Sequence, residues 1–344
     1  MQTYSLADLG WSAHFLNQLT PDDLTNYPAA RLTSVHRARV EALAETGPRT
    51  LFLRPDMPMA DLAVGDWVLI EDHSHRVHRR LDRTSLLQRR AAGTGAEVQL
   101  IAANLDTLFI VSSCNADLNI ARLERFLILA AHAEVEPVIV LTKADTCPDP
   151  QVYVEQAQTL QRGLRVVAVD ARSAEGVAPL TEWCTIGRTV ALLGSSGVGK
   201  STLANALGAP LQDTGGIRED DAKGRHTTTR RNLLLIPGGG WLIDTPGMRE
   251  LQLADVGDGI GRHFSDLSEL AADCKFRNCT HAHEPGCAVQ AAIAAGEIDA
   301  DRLARWRKLE REDKFNTQTL FEARTVARTA GKLHRKTGAK HTKR

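Results

Sequence analysis

Residues 194–201 read Gly-Ser-Ser-Gly-Val-Gly-Lys-Ser, a full match to the spacing Gly-x-x-x-x-Gly-Lys-Ser/Thr. The apolar run Thr-Val-Ala-Leu-Leu precedes it and Ser-Thr-Leu-Ala-Asn-Ala-Leu follows it. Strand, loop and helix are therefore expected in that order. A loop of this kind commits the surrounding chain to a sheet with a phosphate crevice at its edge. Gly194 and Gly199 let backbone approach an anion, and Ser195, Ser196, Gly197 and Val198 turn successive N–H groups inward. Lys200 reaches the β- and γ-phosphates, Ser201 offers a hydroxyl to Mg²⁺, and Thr202 completes the nucleotide-binding stretch.

Other pieces of a nucleotide site surround this loop in an unusual order. Downstream, Asp244-Thr245-Pro246-Gly247 follows the apolar run Gly-Trp-Leu-Ile. There Asp244 can hold Mg²⁺ through water, and the Gly247 N–H can approach a γ-phosphate. Upstream, Thr142-Lys143-Ala144-Asp145 ends the run Pro-Val-Ile-Val-Leu. Asp145 can accept from guanine N1–H and its 2-amino group, a donor pair that adenine lacks. The Lys143 stem can pack on the base. Ser173-Ala174, after Arg-Val-Val-Ala-Val, would bring a backbone N–H to guanine O6. His226-Thr227-Thr228-Thr229 lies between the phosphate loop and Asp244. In ordinary GTPases the phosphate loop comes first and the base motif last. Here the base motif leads, which is the signature of a circular permutation, tolerated where the termini of a compact sheet lie close together.

The strands and helices alternate from Leu108 to about residue 255, an α/β doubly wound pattern. Before it, Arg31–Leu105 breaks into short strands punctuated by Gly and Pro, Glu-Val-Gln-Leu-Ile-Ala among them, which predicts a small antiparallel barrel. Residues 1–28 carry apolar residues at helical spacing. No apolar run approaches the roughly 18 residues of a membrane helix. The opening Met-Gln-Thr-Tyr-Ser-Leu has no basic start followed by an apolar stretch, so no secretory leader is expected. No coiled-coil heptad is present, which favours a monomer.

Formal charge is zero, with 42 basic and 42 acidic residues, but it is unevenly placed. Residues 324–344 hold eight Lys/Arg and no acid, and residues 73–93 hold six Lys/Arg, three His and one acid. Outside those stretches 28 basic residues face 41 acidic ones. Two basic patches on an acidic body suit a large RNA partner. Three of the six cysteines fall within residues 274–287. Cys274, Cys279, His281 and Cys287 have the spacing of a closed tetrahedral Zn²⁺ site of three thiolates and one imidazole, structural rather than catalytic. His283 could replace His281 on spacing alone. Cys114, Cys147 and Cys184 read as packing residues.

Together, Gly-Asp-Trp-Val (65–68), Asn104-Leu105-Asp106, the 142–145 motif, the phosphate loop, Gly-Arg-His-Thr-Thr-Thr (224–229), Asp-Thr-Pro-Gly and the 274–287 cluster resemble the ribosome small subunit-dependent GTPase A family. The resemblance covers the chain from about Arg31. It implies a multi-domain protein: an N-terminal all-β OB-fold, a circularly permuted α/β P-loop GTPase domain and a C-terminal α-helical zinc domain. The corresponding division is a helical extension (1–30), an RNA-binding OB-fold (31–105), the GTPase domain (106–258), the zinc domain (259–323) and a basic tail (324–344). The resemblance also implies GTP hydrolysis stimulated by the 30S subunit, contact with its 16S rRNA, and a cytoplasmic role late in maturation of that subunit.

Two positions depart from expectation. Thr142 stands where the base motif often has Asn, predicting a lost tie to the base and the neighbouring loop and weaker nucleotide binding. Met248 follows Asp-Thr-Pro-Gly where Ras-like enzymes place a water-orienting glutamine, which leaves His226 as the candidate water-positioner beside Lys200 and Asp244. Ser201 and one threonine of 227–229, here Thr228, would hold Mg²⁺. Two other readings are an RNA-binding module with a non-catalytic nucleotide site and an ATP-using P-loop enzyme. Intact Lys200, Ser201 and Asp244 argue against the first, and the guanine-reading residues argue against the second.

Overall fold

The computed structural model describes residues 3–90, 98–209, 231–244 and 255–318. They fall into two units. The first joins residues 1–88 to 100–250; the second joins 89–99 to 251–344.

In the first unit, two short helices, α1 (Ala13–Leu16) and α2 (Pro21–Asn26), lead into five antiparallel strands. Thr20 and Asp23 form a reciprocal capping box at the start of α2, with Pro21 in the first turn. The strands are β1 (Ala29–Val35), β2 (Val40–Ala44), β3 (Gly47–Leu51), β4 (Trp67–Glu71) and β5 (Arg76–Arg80), in the order β3-β2-β1-β4-β5. A parallel bridge between Phe52 and Arg76 brings the exit of β3 onto the entry of β5. That closes the ring with the strand order of an OB-fold. Bulges between Leu32 and Ser34 and between Leu69 and Ile70 supply the curvature. Leu32, Val40, Ala42, Leu51, Val68, Ile70 and Val77 fill the interior.

The fifth barrel strand is thus the basic Arg76–Arg80. Glu-Val-Gln-Leu-Ile-Ala, read from sequence as barrel, instead contributes to β7 (Val98–Ala103), paired with β6 (Leu86–Arg90) in a separate two-stranded sheet. The reason is visible in β5, where only Val77 is buried and the other four side chains are partly or fully exposed. Apolar alternation is almost absent from it.

The chain then enters a six-stranded sheet through β8 (Thr107–Ser113), α3 (Ile120–His132), β9 (Glu136–Thr142), α4 (Pro150–Gln158) and β10 (Arg165–Ala168). It returns to the centre with β11 (Thr189–Gly194) and α5 (Lys200–Ala206), and ends with β12 (Leu233–Leu235) and β13 (Trp241–Ile243). The spatial order is β10-β9-β8-β11-β13-β12, parallel throughout except for β12 against β13. Strands earlier in the chain fan out on one side of β11 and later ones on the other. The order in which strands are added reverses between β8 and β11, and a crevice at the carboxyl ends of the strands is the consequence. This is the permutation expressed as topology. Strands β8 and β11 are buried along their whole length, as a central parallel pair must be.

Arg31, in β1, ties the barrel to the N-terminal segment and to the residues just before β8. Its guanidinium is buried and donates to the carbonyl oxygens of Leu9 (2.6 Å), Asn104 (3.1 Å) and Gly65 (3.4 Å). Burial lowers its pKa to about 10, opposed by the charges of Asp106 and Asp66, so it stays protonated. The Gly-Asp-Trp-Val turn and the Asn-Leu-Asp segment therefore meet on one cation. Nearby, buried Asp66 takes Arg83 through two bonds of 2.6 and 2.8 Å and accepts from the Ala63 N–H.

The second unit is helical after the β6–β7 end: α6 (Gly257–His263), α7 (Ser265–Ala272), α8 (Ala288–Ala294) and a helix over residues 300–318. Arg302 ties the last helix to α7 by two bonds to Asp266, 2.7 and 2.9 Å, and lies 4.8 Å over the Phe264 ring. Asp313 accepts from the Val256 N–H at 3.0 Å. Leu267, Val289, Leu303, Trp306 and Leu309 are buried.

Candidate functional site

The phosphate loop sits where the sequence places it, at the carboxyl end of β11 and the start of α5. Gly194 runs so close to β8 that a Cβ there would lie 2.3 Å from the Val111 carbonyl oxygen. Gly199 takes the left-handed region at φ +90°, a conformation open to glycine at little cost. Ser195 and Lys200 are half-buried, while Ser196, Gly197, Ser201 and Thr202 are exposed. Lys200 Nζ folds back onto the carbonyl oxygens of Gly194 (2.8 Å) and Ser195. Asp244 leaves the end of β13, the parallel neighbour of β11. Burial pushes its carboxyl up, and the Lys200 charge opposes that shift.

The 142–145 motif leaves the next-but-one strand on the other side. Thr142 is buried, Lys143 is left-handed at φ +60°, and Asp145 lies in the following turn. Thr142 Oγ1 stands 2.6 Å from the Val198 carbonyl oxygen in the phosphate loop and 3.0 Å from that of Ser112. Its one proton serves one acceptor at a time. The tie to the neighbouring loop, expected from sequence to be lost with asparagine, is therefore kept by a hydroxyl. Ala144 N–H donates to the Val169 carbonyl oxygen beyond β10, which brings the turn beside Ser173 and Ala174. Ser173 Oγ accepts from the Gly176 N–H at 3.0 Å.

Sequence reasoning missed two arginines here. Arg172 Nη2 is 2.6 Å from Asp145 Oδ2, and its Nε is 3.2 Å from Asp170 Oδ1. The Asp170 bond and the two carboxylate charges raise the Arg172 pKa. Arg122, in the first turn of α3, donates to Ser195 Oγ at 2.8 Å. Neither contact has a local signature, since each partner comes from a different βα segment. His226, Thr227, Thr228, Thr229, Gly247 and Met248 lie outside the described residues.

The second unit holds a separate centre. One ligand atom from each of Cys274, Cys279, His281 and Cys287 lies within 4.8 Å of the others. Cys274 Sγ is 3.8 Å from Cys287 Sγ and 3.5 Å from His281 Nδ1, and Cys287 Sγ is 3.6 Å from that nitrogen. A tetrahedron with arms of about 2.3 Å to sulfur and about 2.0 Å to nitrogen has edges of about 3.8 and 3.5 Å. The four residues fit a metal ion. His281 is the imidazole in the cluster, and His283 is not part of it. Glu284 organises the loop by accepting from the Thr280, Ala282 and His283 N–H groups and from Thr280 Oγ1, and these bonds hold its carboxyl well below the usual range. His281 stacks on Trp306, and burial followed by the Arg307 charge lowers its pKa, favouring the neutral ligand form. Burial raises the Cys114 and Cys184 thiols to about 11 and about 12, which suits packing residues.

The model of the RsgA GTPase family matches residues 80–254. The chain is 56% identical over 336 residues to the small ribosomal subunit biogenesis GTPase RsgA of Mesorhizobium japonicum, covering 96% of each. This chain belongs to the RsgA GTPase family. It is also 48% identical over 335 residues to RsgA 2 of Vibrio vulnificus, covering 97% of this chain and 95% of that one. Among solved structures, YjeQ from Thermotoga maritima superposes with a TM-score of 0.63 at 26% identity, over 82% of this chain and 97% of that one. YloQ, a circularly permuted GTPase, superposes with a TM-score of 0.61 at 25% identity, over 84% of this chain and 96% of that one.

As an RsgA-family GTPase, the chain uses part of its basic barrel segment for itself. Arg79 is bonded to Asp23 and the Gln18 carbonyl oxygen, and Arg83 to Asp66 and the Asp61 carbonyl oxygen. Of these two arginines, read from sequence as part of an RNA-facing patch, Arg79 holds α2 and the segment before it to the barrel, and Arg83 ties the segment after β5 to the residues before β4. Among the described residues no helix is long and apolar enough to cross a membrane.

Proposed function

We propose that this GTPase acts in late maturation of the small ribosomal subunit, as a cytoplasmic monomer whose turnover the 30S particle stimulates. The observation that carries this reading is likeness over nearly the full chain to proteins named for biogenesis of that subunit. Asp145 reads guanine, aided by Thr142, Lys143, Ala144, Ser173 and Ala174. The loop Gly194–Thr202 cradles the phosphates, with Lys200 on the β/γ oxygens.

Phosphoryl transfer depends on charge neutralisation and an in-line water more than on covalent help. Mg²⁺, arriving with GTP, supplies charge at the phosphates. Ser201 and Thr228 would hold it, with Asp244 behind. Gly247 would meet the γ-phosphate through its N–H, and His226 would position the water. A zinc ion at Cys274, Cys279, His281 and Cys287 would fix the loop between α7 and α8. In this reading the chain divides into extension (1–30), an OB-fold region (31–105) whose five barrel strands end at Arg80 and which also carries β6 and β7, GTPase domain (106–258), zinc domain (259–323) and tail (324–344). The OB-fold and the basic C-terminal stretch would meet 16S rRNA.

The decisive experiment measures GTP and ATP turnover with and without purified small subunits. GTP turnover that rises on adding subunits, with ATP inert, is the expected result. GTP turnover indifferent to subunits overturns the ribosomal role, and equal use of ATP overturns the guanine assignment.

A further inference from the structure

The Arg122 guanidinium lies against the phosphate loop. Its bond is to Ser195 Oγ, a neutral acceptor, at 2.8 Å. Among the described residues no acidic side chain pairs with it. Its position also runs against helix electrostatics. Arg122 is the third residue of α3, and the first turn of that helix holds no acid. A cation there faces the positive end of the macrodipole, an unfavourable placement.

The backbone beneath it is well fixed. Asn119 caps α3 by accepting from the Arg122 N–H at 2.9 Å, and Asn115 accepts from Ser113 Oγ and the Asp117 N–H in the loop before it. The strand feeding this loop, β8, pairs with the phosphate-loop strand β11 from Thr107 to Val111. A guanidinium is thus aimed at an anion-binding loop on the flank opposite β13 and Asp244, while Lys200 is engaged with the loop's own carbonyl oxygens.

We infer that Arg122 supplies in cis a second cation for the terminal phosphate of bound GTP, resting on Ser195 until that phosphate arrives. The inference builds on the GTP-hydrolysing assignment of this pocket. A guanidinium suits the task because its planar fork matches phosphate oxygens and its charge is permanent. In phosphoryl transfer the charge spread over the equatorial oxygens is what such a cation stabilises. GDP, lacking the group, gains nothing from it.

The test compares wild type with Arg122→Ala, Arg122→Lys and Arg122→Gln in the full chain. Three quantities are read: affinity for fluorescent GDP, affinity for a fluorescent non-hydrolysable GTP analogue, and GTP turnover with small subunits present. For Arg122→Ala the expected result is GDP affinity within about twofold of wild type, a weakened GTP analogue, and turnover down by about tenfold or more. Arg122→Lys should recover part of both losses and Arg122→Gln neither. A GTP-analogue-to-GDP affinity ratio equal to that of wild type overturns the inference, because a residue that only braces the loop weakens both nucleotides alike. Turnover within twofold of wild type overturns it as well. Should Arg122→Ala fail to fold, the Lys and Gln variants, which keep more of the aliphatic stem, read the same ratio. Failure of wild type to bind either guanine nucleotide would refute the pocket assignment itself, a separate outcome.

Discussion

Thr142 Oγ1 and the Val198 carbonyl oxygen, 2.6 Å apart, join the base-reading turn to the phosphate loop. Two parts of the site that leave different strands, β9 and β11, are therefore mechanically joined. Thr142→Val keeps the shape and removes the hydroxyl that donates to the Val198 or Ser112 carbonyl oxygen. Leaving a buried acceptor unsatisfied costs about 1–3 kcal/mol. GTP and GDP should weaken together, by about five- to a hundredfold, with guanine still preferred over adenine. Titration with fluorescent guanine nucleotides checks this, and undiminished affinity would show that the tie is idle.

Asp145 is expected to set base choice by accepting two hydrogen bonds. Asp145→Asn replaces one acceptor with an amide donor, which opposes the guanine 2-amino group and matches the 2-carbonyl of xanthine. Loss of paired polar contacts of this kind discriminates by orders of magnitude. Competition between GTP and xanthosine triphosphate should therefore reverse in the variant. Retained GTP preference would move base reading away from Asp145. The Arg172 bond to Asp145 Oδ2 leaves the carboxylate further acceptor capacity.

Much of the candidate site could be placed from the sequence because each piece is a short local pattern: the phosphate loop, the 142–145 turn and Asp244 at strand ends, and the Cys/His cluster, which could hold a metal ion, between α7 and α8. The permutation was legible from their order. What escaped was non-local. Arg31 opens an unremarkable strand pattern, and nothing in its neighbours announces that it is buried against Leu9, Gly65 and Asn104. Strand β5 escaped because a barrel strand paired on both edges and buried at one residue looks like a solvated basic run. Arg122 and Arg172 escaped because their partners are set by sheet order, which pairs βα segments distant in the chain. Thr142 was misjudged because residue type was compared rather than donor geometry; a hydroxyl reaches the same loop.

The Arg83–Asp66 pair is the barrel's most exposed liability to mutation. Asp66 is fully buried and Arg83 nearly so. Removing one partner of such a pair strands the other charge in a poorly solvating interior, at about 3–5 kcal/mol. Arg83→Met should lower the thermal midpoint by several degrees or more, and Asp66→Asn by less, because the amide still accepts from the Ala63 N–H. Calorimetry at pH 7 distinguishes them. An unchanged midpoint for Arg83→Met would place the pair among contacts of no consequence.

Asp23 links α2 to the barrel through Arg79 at 2.8 Å. The Arg79 bond first, then the Thr20 N–H, hold its carboxyl far below the ordinary range. A carboxyl whose folded pKa is depressed adds stability above its unfolded pKa, about 3.9, and loses that contribution as pH falls toward the folded value. Stability of the wild type should thus decline more steeply than that of Asp23→Asn below about pH 4. Above that pH the two curves should run parallel, with the variant lower. Urea midpoints at pH 2.5–7 measure the difference, and parallel curves throughout would show that this carboxylate titrates alike folded and unfolded.

The cysteine cluster makes the sharpest prediction about composition. Its sulfur and imidazole distances match the edges of a single tetrahedral site, and Cys287 caps the N-terminus of α8, its sulfur accepting from the Gln290 N–H. Ligand geometry and helix start are thus coupled, so metal binding contributes directly to folding of this segment. Purified protein should carry about one zinc per chain, and Cys274→Ala with Cys279→Ala should abolish it. Removal by a chelator should reduce far-UV helicity and expose residues 274–287 to protease. GDP binding should survive, since no nucleotide-site residue lies in that segment. Full helicity and protease resistance in a metal-free protein would show that these four side chains are held by packing and hydrogen bonds alone.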